Sequence, residues 1–147
     1  MSRAITTGPF RVPQAIIGAT NIGAAPSLLI VNLKNPTDSR KKVKVIVEEC
    51  PPLGIPVIPL GERCAVSNQV KEIEICNEVI TLSPESCRQL FVQIINTTVI
   101  LRVTVKGDVD EDAEKVEVSV IGTDNLGLNH EPSMFFRHED FVKVDHD

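Results

Sequence analysis

The residues able to do chemistry are few and scattered. Four cysteines, Cys50, Cys64, Cys76 and Cys87, occupy the middle third of a 147-residue chain, and no two have the Cys-x-x-Cys spacing of a zinc or redox site. His130, His138 and His146 are spaced by eight, which puts no two of them in a standard ligand motif. The run Asp108, Asp110, Glu111, Asp112, Glu114 offers hard oxygen ligands for calcium but lacks the glycine and terminal glutamate spacing of an EF-hand, and reads as a solvated hairpin tip. Ser86 or Cys87 with His138 and Asp140 would supply a nucleophile, a base and an orienting acid, yet no nucleophile elbow or other family signature surrounds them. Gly18, Gly23, Gly54 and Gly61 form no phosphate loop, and Asn96-Thr97-Thr98 matches a glycosylation acceptor that is expected to stay idle, since no export signal is expected. The expectation is no catalytic residue, no metal, no cofactor and no small-molecule substrate: a protein that works by contact.

What elements would carry these residues? The core can draw on 19 Val and 15 Ile against 10 Leu and 7 Ala, with no Trp, no Tyr and five Phe. β-Branched side chains lose rotamer freedom in helices and pack well on a pleated surface, so the balance favours strands. The length fits one domain. A net charge of -5 from 15 basic and 20 acidic residues argues against a nucleic-acid partner, which needs clustered cations. The stretch from Ala15 to Leu33 is apolar but broken by Thr20, Asn21, Gly23, Pro26, Ser27 and Asn32, too often for a membrane-spanning helix. Thr6, Thr7, Gly8, Pro9, Arg11 and Pro13 stand where a signal peptide would have its apolar run, so synthesis in the cytoplasm without export by that route is expected.

Along the chain, residues 1–14 read as an extended arm, because Gly8, Pro9 and Pro13 prevent a helix and the apolar residues are too sparse to build a core. Residues 15–147 read as one sandwich. Strand signals run over Ser27–Leu33, Lys42–Glu48, Val70–Ile75, Glu78–Leu82, Cys87–Ile95, Val99–Lys106, Val116–Val120 and Met134–Val144, with a proline-rich loop over Cys50–Asn68. The cleanest alternation places Val99, Leu101, Val103 and Val105 inward against Arg102, Thr104 and Lys106. Ser83-Pro84-Glu85-Ser86 reads as the turn of a hairpin. About eight strands and no amphipathic helix predict an all-β, two-sheet sandwich of jelly-roll or immunoglobulin-like type. As reduced thiols the cysteines would be small buried hydrophobes. If oxidised, Cys50 with Cys64 is the preferred intrachain pair, closing a loop of about 15 residues worth up to roughly 3 kcal/mol, which leaves Cys76 and Cys87 free or joined between subunits.

The segment Glu78-Val-Ile-Thr-Leu-Ser-Pro-Glu-Ser-Cys-Arg-Gln-Leu-Phe-Val-Gln-Ile, with Val31-Asn-Leu-Lys-Asn-Pro before it and Leu101-Arg-Val-Thr-Val-Lys-Gly after it, resembles the jelly-roll subunits of bacterial endospore appendages. That resemblance implies subunits that lend an N-terminal extension to a neighbour and join cysteines between subunits, on a spore or cell surface. This chain departs from the pattern in having no cysteine in its arm. The expected function is a self-assembling structural subunit whose partner is itself, with Ile5, Phe10, Val12, Ile16 and Ile17 as the docking residues of the arm. A virion or phage-tail subunit would need the same parts. A monomeric adhesion module is the other alternative, although sugar platforms usually rely on the Trp and Tyr that this chain lacks.

Overall fold

The computed structural model describes residues 3–16, 25–51 and 56–144, and the chain is an antiparallel β-sandwich. Its strands are β1 (Arg3–Thr6), β2 (Phe10–Arg11), β3 (Leu28–Lys34), β4 (Lys41–Cys50), β5 (Ile73–Leu82), β6 (Cys87–Gln93), β7 (Ile100–Gly107), β8 (Glu117–Thr123), β9 (His130–Phe136) and β10 (Val142–Lys143). One sheet has the order β10-β1-β7-β4-β5, with β2 also on β7, and the other has the order β6-β3-β8-β9. A 3-10 turn, His138–Asp140, joins β9 to β10. Among the described residues no helix is long and apolar enough to cross a membrane.

Alternation explains which side chains meet between the sheets. Leu29, Val31 and Leu33 of β3, Val43, Val45 and Val47 of β4, and Val118 and Val120 of β8 are all buried, each set at the period of two that sends every second side chain to one face. The β7 pattern holds as read from sequence, with Val99, Leu101, Val103 and Val105 in the core. Thr104, on the opposite side of that strand, is also buried, because β1 lies alongside and Thr104 Oγ1 donates to Thr6 Oγ1 at 3.2 Å.

Three sequence expectations are corrected. The segment expected as a separate arm forms β1 and β2, and β1 lies inside the first sheet with β7 on one side and β10 on the other. Its residues are sparse in sequence, but Ile5, Phe10 and Val12 all enter the common core, because the partners that complete their environment come from β7 and the C-terminal strands. The Ser-Pro hairpin is the second correction: β5 pairs with β4 and β6 with β3, so residues 83–86 carry the chain from one sheet to the other. The buried Asn35 side chain fixes this crossing, donating to the carbonyls of Ser39, Leu82 and Ser83 while its Oδ1 accepts from Thr37. Glu85 takes the left-handed conformation at φ 55°, and its N–H donates to Thr37 O. Third, the two strands expected over residues 70–82 are one, β5, and the bent strand expected over 134–144 is β9, the 3-10 turn and β10.

Candidate functional site

A cavity of about 870 Å³ forms an open cleft at one end of the second sheet. Its floor is the outward side of β3, β6 and β8. The registers Asn32↔Gln89 and Asn32↔Ser119 set three polar side chains in a row, because directly opposed residues share a face. Gln89 Nε2 donates to Asn32 Oδ1 at 2.7 Å, and Asn32 Nδ2 donates to Ser119 Oγ at 3.2 Å. The next row holds Cys87, Lys34 and Glu117. One wall is the loop before β8, with Glu111, Asp112 and Ala113, and the other is Arg137, His138 and Glu139.

Both walls are held by groups that catalysis would have needed free. His138 is buried. Its Nδ1 accepts the Val118 N–H at 3.0 Å, so the ring proton sits on Nε2 and is donated to Asp110 O at 2.6 Å. With both ring nitrogens engaged by backbone, the imidazole has no lone pair left to act as a base. Asp140 Oδ2 accepts the Arg137 N–H at 2.8 Å, so the two groups that could have served Ser86 or Cys87 as base and orienting acid are engaged elsewhere.

In the acidic run, Asp110 is buried and its Oδ1 accepts the N–H groups of Asp112 and Glu114, each at 3.2 Å. Asp108 Oδ2 accepts the Lys42 N–H at 2.8 Å. Those carboxylates organise their own turn. Among the described residues no three His, Cys, Asp or Glu side chains converge in a metal-binding arrangement. His146 and Ile17 lie outside the described residues.

All four cysteines are free thiols in this structure. Cys50 is half-buried at the end of β4, whereas Cys64 is exposed in the loop that follows; sequence separation gives the size of a loop but not the direction in which it leaves the sheet. Burial, then the nearby Glu78 and Glu74, pushes the Cys76 thiol up from its ordinary value. Cys87 is exposed at the rim of the cleft. Of the expected docking residues, Ile5, Phe10, Val12 and Ile16 are buried within the chain itself.

A second charged cluster lies on the outer side of the first sheet. Arg102 Nη2 donates to Glu48 Oε1 at 2.9 Å and to Glu72 Oε1 at 2.7 Å. The two carboxyl groups share a hydrogen bond, which raises Glu72 and lowers Glu48 from the ordinary carboxylate value; burial adds to the rise at Glu72, and Arg102 adds to the fall at Glu48.

Sequence reasoning passed over Asn32, Lys34, Gln89, Glu117 and Ser119 because their meeting depends on β3 lying between β6 and β8. The signal was their position on the polar side of three alternating strands. The fold defines the chain as an all-β, two-sheet antiparallel sandwich. No protein-family model matches the chain, and no curated protein does. Among solved structures it is similar to "Crystal Structure of Thermotoga maritima 1070", at 12% identity over 97% of this chain and 90% of that one, with a TM-score of 0.42.

Proposed function

We propose that the chain is a structural subunit that assembles with copies of itself, acting by contact and not by chemistry, and that its N-terminal strands are the exchanged element. The observation that supports this is the position of β1. It pairs on both sides, Arg3 to Thr6 with β7 and Ile5 and Thr6 with β10, and Ile5 and Val12 are 1% and 0% exposed. A domain without this segment has a gap one strand wide in the middle of a sheet. The same segment supplied by a neighbour would satisfy the same ladder and the same core, because swapping an identical element between protomers keeps the contacts and changes only their ownership. The stretch between Val12 and β3 contains Pro13, Gly18, Gly23 and Pro26, residues that favour a connection over a paired strand.

Ala4 stands opposite Lys106, which gives a direct test. In a background with the four native cysteines replaced, Ala4→Cys with Lys106→Cys is oxidised and run on a non-reducing gel, while the same sample is viewed by negative-stain electron microscopy. Exchange predicts a ladder of covalent multimers and filaments. Monomer bands alone, with dispersed particles, overturn it in favour of a monomeric module.

A further inference from the structure

The outer face of the second sheet carries an apolar row that crosses all four strands. Phe91, Ile30, Ile121 and Phe135 are direct cross-strand neighbours, one from each of β6, β3, β8 and β9. Phe91 is 55% exposed and Phe135 49%, and the two isoleucines between them are partly exposed. An apolar band of this kind on a sheet face marks a contact surface more often than a solvated one. What covers it is indicated by the charges along the same face. Lys34 and Glu117 are exposed, face the same way in adjacent strands, and form no ion pair with each other or with any described residue.

We infer that this face is a two-fold interface with a second copy of the chain, the axis running parallel to the strands between β3 and β8. Such a rotation keeps position along the strands and reverses their order. It lays β3 over β8 of the second copy and β6 over β9. Ile30 then meets Ile121 of the second copy, Phe91 meets Phe135, and Lys34 meets Glu117, each contact occurring twice as an isologous interface requires. The sheets would pack as two sandwich layers do, about 10 Å apart and with strands within about 30° of each other.

The rest of the cleft agrees with that axis. The basic side chain on this face is Lys34 of β3, while the acidic Glu111, Asp112 and Glu139 belong to the walls beside β8 and β9; Arg88 of β6 also lines the cleft, but its guanidinium turns to the other sheet, where Nη1 donates to Thr81 O at 3.3 Å. Arg137 is also on the acidic side, but its guanidinium lies 3.4 Å from Glu139. The rotation sets the basic side of each copy against the acidic wall of the other. A rotation about an axis perpendicular to the strands would not keep the apolar rows and the charged rows in register together.

Heavy-nitrogen and ordinary chains, unfolded and refolded together, are treated with a carbodiimide that joins lysine to carboxylate without a spacer. A Lys34–Glu117 cross-link between one heavy and one light peptide is expected; cross-linked peptides of one isotope only would overturn the interface. Charge reversal provides the second arm, read by sedimentation velocity. Lys34→Glu and Glu117→Lys should each weaken the dimer by roughly tenfold or more, since each sets like charges opposite each other twice. Mixing the two variants sets one acid against one lysine at both of these contacts, and should restore a dimer that neither variant forms alone. Single variants that dimerise like the parent, or a mixture that stays monomeric, sink the proposal. Assembly through exchanged N-terminal strands would survive both reversals, so the two proposals fail separately.

Discussion

His138 Nδ1 accepts the backbone N–H of Val118 at 3.0 Å, so a side chain takes the place of a strand partner. β9 pairs with β8 at Val120↔Phe136 and then leaves it for the 3-10 turn. From there the imidazole supplies the acceptor that the departing backbone no longer offers, and its other nitrogen holds the carbonyl of Asp110. One ring thus joins β8, the acidic loop and the 3-10 turn.

Replacing His138 by Ala should therefore leave two buried backbone groups without partners, together with a cavity. Each unsatisfied group costs about 1–3 kcal/mol, so a loss of roughly 2–5 kcal/mol is expected in urea unfolding. His138→Asn, which retains an acceptor near the Nδ1 position, should recover part of it. An Ala variant as stable as the parent would show that water replaces the ring at no cost.

Gly107 ends β7 at φ 112°, and a Cβ built there lies 2.8 Å from the carbonyl oxygen of Lys42. Both the backbone angle and the contact exclude a side chain, and the obstacle is backbone that cannot turn aside. Gly107→Ala should cost on the order of 1–3 kcal/mol. Gly8, at φ 71° with nothing within 4 Å of its Cβ position, provides the comparison: Gly8→Asn should cost less, since Asn tolerates the left-handed region. Thermal unfolding of the two variants side by side checks the order.

Alternation made the sandwich legible, and Val99 to Val105 show why: a period of two is a local property, present in the residues themselves. Pairing is not local. Ile5 and Val12 looked too isolated to join a core because the strand beside them, β7, lies about a hundred residues further on. The Ser83–Ser86 turn has the same composition whether its flanking strands pair or part, and Asn35, the residue that decides it, lies some fifty positions earlier. The structural role of His138 was hidden for a related reason, since its partners are main-chain atoms that any residue could have supplied. The polar row Gln89–Asn32–Ser119 required knowing that β3 lies between β6 and β8.

At the Glu48–Arg102–Glu72 cluster the two acids shift in opposite directions, so their linkage to pH has opposite signs. Glu72, raised by Glu48 and by burial, contributes stability that is present at low pH and lost as pH rises through its folded value. Glu48, lowered by its hydrogen bond with Glu72 and by Arg102, contributes stability that is present above its unfolded value and lost as pH falls through the lowered one. Both carboxyl groups meet one guanidinium, that of Arg102. Glu72→Gln keeps a donor for Glu48 and an acceptor for Arg102 while removing the repulsion. Its effect should stay within about 1 kcal/mol, as for partly exposed ion pairs. The melting temperature of the variant relative to the parent should rise between about pH 4 and pH 7, and a constant difference across that range would contradict the shared proton.

The thiols should separate by accessibility and by ionisation. Cys64 and Cys87 are exposed, whereas Cys50 and Cys76 are half-buried. The thiolate is the reactive form, and at Cys76 burial and the carboxylates of Glu78 and Glu74 disfavour it. Alkylation of the folded protein should therefore label Cys64 and Cys87 first and Cys76 last. Glu78→Gln with Glu74→Gln should speed Cys76 by removing the two negative charges, without exposing it further. Peptide mass spectrometry over a time course of iodoacetamide labelling gives the four rates independently. Equal rates at Cys76 and Cys64 would mean that the edge strand β5 opens faster than the reagent reacts, and unchanged Cys76 labelling in the double variant would leave burial alone as the cause of its protection.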